Sequence, residues 1–351
     1  MKTFFSKKRQ LIGKYLIQFF KKKVKKLKIN RWGQDVIQRF EHFARQGKMI
    51  RGLLVILSYS MYKNRLDHNA VAVASAMELL HSSFLIHDDI MDKDLLRRGL
   101  KTIFHQYSEL GKSEHFNQAY HFGESMGICA GDIGFFFSWE ILSNLKLKSN
   151  IKDTILNYWA QENQYVGLAQ MQDVYLGLSH KKIEEKDILD LYRYKTARYT
   201  FSLPLALGAL MAGQKKNTVT RLEKIGENLG IIFQIQDDYL GLCGDVKITG
   251  KPVGSDIKEK KKTLYYLTLM EKVNKTEKEK LENIFGNPDI TIPMIGFVQK
   301  LIEKYKIDSF IFHKMKVLSQ KTAILITSLN IARKYKKILI ELLEYSLARK
   351  K

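Results

Sequence analysis

The sequence predicts an all-α protein built as a single large helical bundle. Apolar residues recur at helical spacing along most of the 351 residues, and proline occurs only 4 times. Because proline interrupts helices and is common in the turns of other folds, so low a count favours long, uninterrupted helices. Hydrophobic residues make up 45 % of the chain and charged residues 27 %, a balance typical of a chain that buries a core.

Seven segments carry the helical period, and turn residues separate them. The predicted helices are Met49–Tyr62, Ala70–Lys93, Ser125–Leu145, Ile151–Leu176, Lys186–Ala212, Val219–Gly241 and Lys258–Val273. The sequence contains no low-complexity linker that would divide these helices. We therefore expect two parts, a basic N-terminal helical extension over residues 1–30 and one helical domain over residues 31–351.

The formal net charge is +23, and residues 1–30 alone carry eleven lysines and arginines and no acid. A basic amphipathic helix can pack on the body of the protein or lie on an anionic lipid surface, and we favour packing. The sequence has no zinc-finger cysteines and no aromatic RNA-binding strand, so we expect no nucleic-acid partner. We also expect no secretory signal, because residues 1–4 do not begin a long apolar stretch with a small-residue cleavage site. No uncharged run reaches the ~20 apolar residues that a membrane-spanning helix needs.

Two cysteines, Cys129 and Cys243, are too few to staple a chain of this size, and unpaired thiols fit a reducing compartment. We therefore expect a cytoplasmic protein. Membrane contact at the surface, through the basic N-terminal helix, is the alternative location.

The first group of residues that indicates chemistry is His87-Asp88-Asp89-Ile90-Met91-Asp92, inside a strongly helical segment. Asp88 and Asp92 are four residues apart, so their carboxylates lie on one face of a helix. Two like charges in that position destabilise a bare helix, and a cation would relieve the repulsion. Carboxylate oxygens, together with water and substrate phosphates, are the ligands that Mg²⁺ prefers.

A second acidic pair, Asp237 and Asp238, follows Gln234 at the end of an apolar helix. Buried charge without a partner is expensive, so two such pairs on apolar helices indicate function. Several cations could bind a diphosphate, and guanidinium groups match phosphate oxygens especially well. The candidates are Lys48, Arg51, Arg97, Arg98, Lys195, Lys251 and Lys261.

A series of motifs in this order resembles the trans-polyprenyl diphosphate synthase family over roughly residues 47–263. The matching stretches are Gly47–Arg51, Glu78–Asp92 followed by Arg97-Arg98-Gly99, Lys195-Thr196, Phe233–Leu240 followed by Gly244-Asp245, and Thr249–Ile257. The resemblance implies the isoprenoid synthase fold with a central substrate cavity. It also implies a homodimer that joins isopentenyl diphosphate to an allylic diphosphate.

The resemblance assigns roles to individual residues. Asp88, Asp92 and Asp237 would bind a cluster of about three Mg²⁺ ions that holds the allylic diphosphate. Arg97, Lys195, Lys251 and Lys261 would neutralise the leaving diphosphate. Isopentenyl diphosphate would be held by Lys48, Arg51, His81 and Arg98. Gln234 and the carbonyl of Thr196 would stabilise the allylic carbocation, and the departed diphosphate would take up the final proton.

One position departs from the family pattern. The second aspartate motif ends in a third aspartate in the family, whereas this chain has Gly241. We expect activity with somewhat weaker metal binding. Restoring aspartate should tighten the Mg²⁺ requirement, and removing a glycine from a helix should add up to ~1 kcal/mol of stability.

The residues just before Asp88 predict the length of the product, because a chain attached at Asp88 runs back along the same helix. In the family, bulky aromatics four and five positions before the first aspartate close the pocket at fifteen carbons. Here Phe84 supplies one of these aromatics, whereas Ser83 leaves the other position small. Leu80 and Met77 would form the next floor, so we expect the twenty-carbon geranylgeranyl diphosphate, with farnesyl diphosphate as the runner-up.

Other classes of protein share parts of this pattern. A terpene cyclase would need the metal site but not the isopentenyl site that Lys48, Arg51 and His81 would form. A metal-dependent phosphohydrolase would need further histidines near His87, and the remaining ones form no obvious set. A non-catalytic partner subunit of the same fold would be expected to lose aspartates of the first motif. A nucleic-acid binder would have its acidic pairs by accident.

Overall fold

The computed structural model describes residues 1–179, 181–243 and 254–348, and it confirms the all-α prediction. In chain order the helices are α1 (Lys2–Lys26), α2 (Arg31–Arg45), α3 (Ile50–Tyr62), α4 (His68–Met91), α5 (Ile103–Ser113), α6 (Ala119–Ser143), α7 (Ser149–Leu178), α8 (Glu185–Leu191), a π-helical segment (Tyr192–Ser202), α9 (Leu203–Met211), α10 (Lys216–Cys243), α11 (Ser255–Lys258), α12 (Leu264–Lys272), α13 (Lys275–Ile284), α14 (Ile292–Lys304), α15 (Ile307–Thr327) and α16 (Arg333–Ala348). A small antiparallel hairpin, β1 (Leu96–Arg97) with β2 (Leu100–Lys101), follows α4.

Most of the predicted helices lie within a few residues of their expected bounds, but the helix predicted over Lys258–Val273 is wrong at its start. The backbone leaves the helical region at Lys260, which has a left-handed φ of 54°. A new helix, α12, begins after Thr263, whose side chain accepts a hydrogen bond from the backbone N–H of Tyr266. This N-cap satisfies an amide that has no partner within the helix, which explains where α12 begins.

The chain divides into two compact units. The first consists of Met1–Leu156 and Pro204–Lys215, and the second of Asn157–Leu203 and Lys216–Lys351. The predicted boundary near residue 31 coincides with the loop between α1 and α2. Whether the first 30 residues act as a separate extension stays a prediction.

Helix α4 is the central element of the first unit and packs against α1, α3 and α6. It begins after Asp67, whose carboxylate caps the backbone N–H of Asn69. Glycines on α6 let this helix approach its neighbours closely. A Cβ at Gly127 would stand 2.8 Å from side-chain atoms of Ile90 and Phe104, so a larger residue there would push α6 away from α4 and α5.

Helix α4 is also the one described helix long and apolar enough to cross a membrane by length and composition. Within its most apolar window 72 % is buried inside the protein. Burial of this extent is typical of a core helix, whose apolar residues are covered by protein and not by lipid.

Helix α1 packs its apolar face onto the first unit. Ile12, Leu16 and Phe20 are fully buried, and Phe20 contacts the rings of Phe40 and Phe137 edge-on or tilted. Each fully buried side chain of this size contributes roughly 1.5–3 kcal/mol of transfer free energy. The apolar face that could have met lipid is therefore covered by protein, and the basic face remains outside.

In the second unit, α10 packs against the π-helical segment and against α15 and α16. Small residues again permit close approach: a Cβ at Gly226 would stand 2.6 Å from the backbone nitrogen of Ser202. Arg198 donates hydrogen bonds to both carboxylate oxygens of Glu162. This pair joins the π-helical segment to α7 and fixes the part of the segment that carries the predicted site residues.

Candidate active site

The first aspartate motif lies at the C-terminal end of α4. Asp92 is the C-cap residue, and its backbone N–H donates to the carbonyl of Asp88 at 2.8 Å. Asp88 and Asp92 are thus one helical turn apart, as the spacing predicts. The C-terminus of a helix carries partial negative charge. Two carboxylates at this end are therefore repelled by the helix dipole as well as by each other. A cation is the natural counterpart.

Arg97 on β1 reaches back to this helix end. It pairs with Asp89, and its Nη2 lies 3.6 Å from Oδ2 of Asp88 and 3.7 Å from Oδ2 of Asp94. Asp89 is fully buried, and burial raises its pKa to about 7 although Arg97 opposes the shift. The three aspartates hold Arg97 beside the first motif, where the sequence predicts a diphosphate.

The cations predicted to bind isopentenyl diphosphate lie together in the first unit. Lys48 is exposed in the turn before α3, and Arg51 follows in the first turn of that helix. The guanidinium of Arg98 lies against Gly47, 3.5 Å from where a Cβ would be. His81 on α4 lies near Arg51, Arg98 and Arg97, and its pKa is well below the ordinary value of 6.5, because of burial first and these charges second.

Two backbone positions in this cluster are strained. Met49 and Arg98 both have a left-handed φ of 55°, a conformation that costs of order 1 kcal/mol or more for residues other than glycine. Such strain persists only where the surrounding structure fixes it. Here the strained positions lie between Lys48 and Arg51 and at Arg98 itself.

The second aspartate motif lies on α10, and the structure separates its two carboxylates. Asp238 is buried, accepts a hydrogen bond from the Tyr192 hydroxyl, and accepts another from Nε2 of Gln234 at 2.8 Å. Burial raises its pKa well above the ordinary value. Asp237 is half-buried. Asp238 therefore supports the local fold, which leaves Asp237 as the candidate ligand of the pair.

Thr196 and Gln234, which are predicted to share a role at the carbocation, are in contact with each other. The Thr196 hydroxyl donates to Oε1 of Gln234 at 2.8 Å, and Gln234 in turn donates to Asp238. Thr196 lies in the π-helical segment, an irregular form of helix that is frequent at functional sites. The chain of hydrogen bonds orients the amide of Gln234.

Asp173 on α7 is a residue of the candidate site that was not predicted from the sequence. Its carboxylate forms an ion pair with Lys195, and both residues are half-buried. One signal was present in the sequence, because Asp173 is the only acid between Glu162 and Glu184. An isolated acid on a long helix is ordinary, however, and only the fold shows that it holds Lys195.

Helix α11 brings an acidic side chain to the end of α10. A Cβ at Gly241 would collide with the carboxylate of Asp256. Nζ of Lys261 lies 3.8 Å from Oδ1 of Asp256 and 2.8 Å from Oε2 of Glu259. Lys261 therefore lies beside Asp256 near the end of α10, and its role toward the leaving diphosphate stays a prediction. Lys251 lies outside the described residues.

The residues predicted to set product length face different surroundings. Ser83 is fully buried and donates to the carbonyl of Leu79 at 3.1 Å, and a Cβ at Gly134 on α6 would collide with it. Phe84 is half-buried, and its ring meets that of Phe135 edge-on at 5.1 Å. Leu80 and Met77 are buried in the core. A role in chain length stays a prediction for all of them.

The donor set fits a divalent cation of the Mg²⁺ type. Within residues 1–179, 181–243 and 254–348, no three His, Cys, Asp or Glu side chains converge on one point. A closed protein cage is therefore not formed there. Magnesium is usually bound through one or two carboxylates, with water and substrate phosphate as the other ligands, and Asp88 and Asp92 provide carboxylates of that kind.

Comparisons with known proteins agree with this geometry. A family model described as polyprenyl synthetase matches residues 34–295. The geranylgeranyl diphosphate synthase of Sulfolobus acidocaldarius is 32 % identical over 76 % of this chain and 76 % of its own length. A short chain isoprenyl diphosphate synthase of Methanocaldococcus jannaschii is 33 % identical over 70 % of this chain and 68 % of its own.

A solved structure is similar over nearly the whole chain. It is a geranylgeranyl pyrophosphate synthase from Corynebacterium glutamicum, complexed with isoprenyl diphosphate and magnesium. The TM-score is 0.91 at 26 % identity, and the alignment covers 98 % of this chain and 99 % of the other.

Proposed function

The chain belongs to the polyprenyl synthetase family, and from this premise we propose that it makes geranylgeranyl diphosphate from isopentenyl diphosphate and an allylic diphosphate. The observation that carries the proposal is the arrangement in the first unit. There Arg97 lies beside Asp88 at the C-terminal end of α4, and Arg51 and Arg98 lie near His81 on the same helix.

In this proposal Asp88, Asp92 and Asp237 would hold Mg²⁺, about three ions by analogy with the family. Metal held there would neutralise charge on the allylic diphosphate. Arg97, Lys195 and Lys261 add fixed positive charge for the leaving group, and Lys251 joins them by sequence. Preorganised cations of this kind lower the barrier because they already face the charge that develops on the leaving oxygen.

The bond changes follow from these charges. The C1–O bond of the allylic diphosphate breaks, and its electron pair leaves with the diphosphate. The double bond of isopentenyl diphosphate then attacks C1, and the diphosphate takes a proton from C2 to restore a double bond. Lys48, Arg51, His81 and Arg98 hold the second substrate in line, which supplies the orientation that the attack needs. Gln234 and the carbonyl of Thr196 offer dipoles to the cation.

Intact residues of the isopentenyl site argue against a terpene cyclase, which needs no second diphosphate. Both ligands of the first motif are present in this chain, which argues against a silent subunit. Farnesyl diphosphate synthase stays the runner-up, since Phe84 occupies one of the two positions that close the pocket. The similarity to geranylgeranyl diphosphate synthases at about a third identity supports the longer product.

We also propose a homodimer. Helix α6 exposes large apolar side chains on one side, with 48 % of Ile128, 72 % of Phe136 and 48 % of Trp139 accessible. A second copy of the chain would cover them. Light scattering of the purified protein should report twice the monomer mass, and Phe136→Glu should shift it toward the monomer.

For location we propose the cytoplasm, with contact to anionic lipid through the outer face of α1. Lys7, Lys14, Lys21 and Lys25 are exposed and lie opposite the buried residues of that helix. Each lysine near an anionic membrane contributes about 1 kcal/mol of attraction. Sedimentation with vesicles that contain anionic lipid, but not with neutral vesicles, would support this contact.

The decisive experiment is incubation of the purified protein with labelled isopentenyl diphosphate, farnesyl diphosphate and Mg²⁺. We expect a twenty-carbon product that is lost on chelation. Asp88→Ala and Asp92→Ala should abolish most turnover, with stability unchanged or higher because like charges are removed. The exposed surface acid Glu109, changed to Ala, is the matched control. Near wild-type turnover in Asp88→Ala would overturn the assignment.

A further inference from the structure

A buried acid outside the predicted site lies against the start of α3. Glu78 on α4 is only 3 % exposed, and its Oε1 accepts a hydrogen bond from the backbone N–H of Gly52 at 2.7 Å. The backbone N–H of Arg51 interacts with the same carboxylate. An acid this deeply buried is costly unless its oxygens are satisfied, so these contacts define its place in the fold.

Helix α3 has no side-chain cap of its own. Its N-cap residue is Met49, which has a left-handed φ of 55° and offers no acceptor to the first amides of the helix. Those amides need partners, and the N-terminus of a helix carries partial positive charge that attracts an anion. Glu78, on the neighbouring α4, provides the acceptor oxygens and the negative charge. It therefore fixes where α3 begins.

The same carboxylate lies among the cations of the predicted isopentenyl site. Burial raises the pKa of Glu78, while the amide of Gly52 and the guanidinium groups of Arg51 and Arg98 oppose that shift. His81 is three residues further along α4 and is influenced by Arg51, Arg97 and Arg98. Glu78 is thus a compensating negative charge beneath a cluster whose members otherwise repel one another.

The segment anchored by Glu78 is the one that carries Lys48 and Arg51. Lys48 is exposed, and Met49 forms the strained turn that joins it to α3. On the opposite side, the Arg98 guanidinium lies against Gly47. Glu78 accepts a hydrogen bond from the backbone N–H of Gly52, and its charge attracts the guanidinium groups of Arg51 and Arg98. It therefore contributes to the position of the backbone and of the side chains in the cluster.

We propose that Glu78 is a positioning residue for isopentenyl diphosphate, which fixes the turn over residues 47–51 and keeps Arg51 and Arg98 poised for the diphosphate. The inference rests on the proposed function and deepens it. Glu78 itself does not touch the substrate. Its removal should therefore weaken the binding of isopentenyl diphosphate and leave the binding of the allylic diphosphate intact.

The test uses Glu78→Gln, Glu78→Asp and Glu78→Leu in the full chain. Glu78→Gln keeps an oxygen for Gly52 and removes only the charge, whereas Glu78→Leu removes both. For Glu78→Gln we expect the KM for isopentenyl diphosphate to rise about tenfold, the worth of one charged hydrogen bond, with kcat and the allylic KM nearly unchanged. Glu78→Asp keeps the charge and should fall between this variant and wild type.

Asp35→Asn is the matched control, because Asp35 is an acid of the same unit that binds Arg39 and Tyr107 away from the cluster. It should leave both KM values unchanged. Calorimetric titration with isopentenyl diphosphate in the absence of metal gives a readout besides activity. There Glu78→Gln should weaken binding by a similar factor.

Equal changes in both KM values, or a loss of kcat alone, would overturn the inference and leave Glu78 with a merely structural role. If Glu78→Gln fails to fold, the same comparison in Glu78→Asp decides the question. A wild-type protein that elongates no allylic substrate would instead contradict the proposed function. An active wild type with an unaffected Glu78→Gln would contradict only this inference.

Discussion

The carboxylate of Asp256 lies in the space that a side chain at position 241 would need. The approach is set by the backbone, since the N–H of Gly254 donates to the carbonyl of Gly241 at 3.2 Å. Gly254 itself has a left-handed φ of 91°, which glycine adopts without strain. The second motif therefore has an acid beside its last position, supplied by α11 instead of by α10.

This contact reverses the stability expected for Gly241→Asp. Helix propensity alone predicts a gain of up to ~1 kcal/mol from removing a helical glycine. The structure instead predicts a lower melting temperature in the absence of metal, because two carboxylates would compete for one space. Adding Mg²⁺ should recover part of the loss, and Asp256→Asn in the same chain should recover it without metal. Thermal unfolding of Gly241→Asp in a chelator, with a melting temperature above wild type, would contradict this.

The Lys195–Asp173 pair predicts coupled effects on catalysis. Asp173→Asn and Lys195→Gln should each lower kcat/KM for the allylic diphosphate, and the double variant should lose less than the sum. Residues in direct contact typically couple by 0.5–3 kcal/mol, and we expect about 1 kcal/mol here. Glu277→Gln, which breaks the ion pair with Lys304 between α13 and α14 in the same unit, is the control and should leave kcat/KM near wild type. Strictly additive losses at positions 173 and 195 would count against the pair.

The edge-on contact of Phe84 with Phe135 predicts two residues that limit product length. Removing either ring should open the pocket, so Phe84→Ala and Phe135→Ala should both lengthen the product beyond twenty carbons. The product of the double variant should be little longer than that of either single variant, since the two rings close the same space. Ser83→Phe, expected from the sequence to shorten the product, should mainly destabilise the fold because Ser83 packs on α6. Chromatography of the products checks the first pair, and unchanged product lengths in both would refute it.

His81 predicts a dependence of stability on pH. Its pKa in the folded protein is well below the ordinary value of 6.5, so below about pH 6.5 the unfolded chain binds more protons than the folded one. Stability should therefore fall as the pH falls from 6.5 toward the folded pKa, by at most roughly 1.4 kcal/mol per pH unit. His81→Gln removes the titrating group and should reduce this loss of stability at low pH. Equal slopes for both proteins in unfolding experiments from pH 7 to 5 would show that His81 is not responsible.

The helices and the candidate cations were predictable because both depend on local order in the chain. The spacing of Asp88 and Asp92 places them on one helical face whatever surrounds the helix. The break between α11 and α12 was not predictable in this way. Lysine, the residue at position 260, is not typical of a left-handed turn, and the apolar pattern continues past it.

By itself the sequence determined the all-α architecture, the family, and the two acidic motifs with their basic partners, since these are properties of spacing and residue type. Only the tertiary structure decided which carboxylate does what. It buried Asp238 beneath Tyr192 and left Asp237 half-buried, it paired Asp173 with Lys195, and it placed Glu78 beneath the arginines. The reason is physical: the charge state and the partners of an acid depend on burial and on contacts between residues far apart in the chain, which no local pattern records.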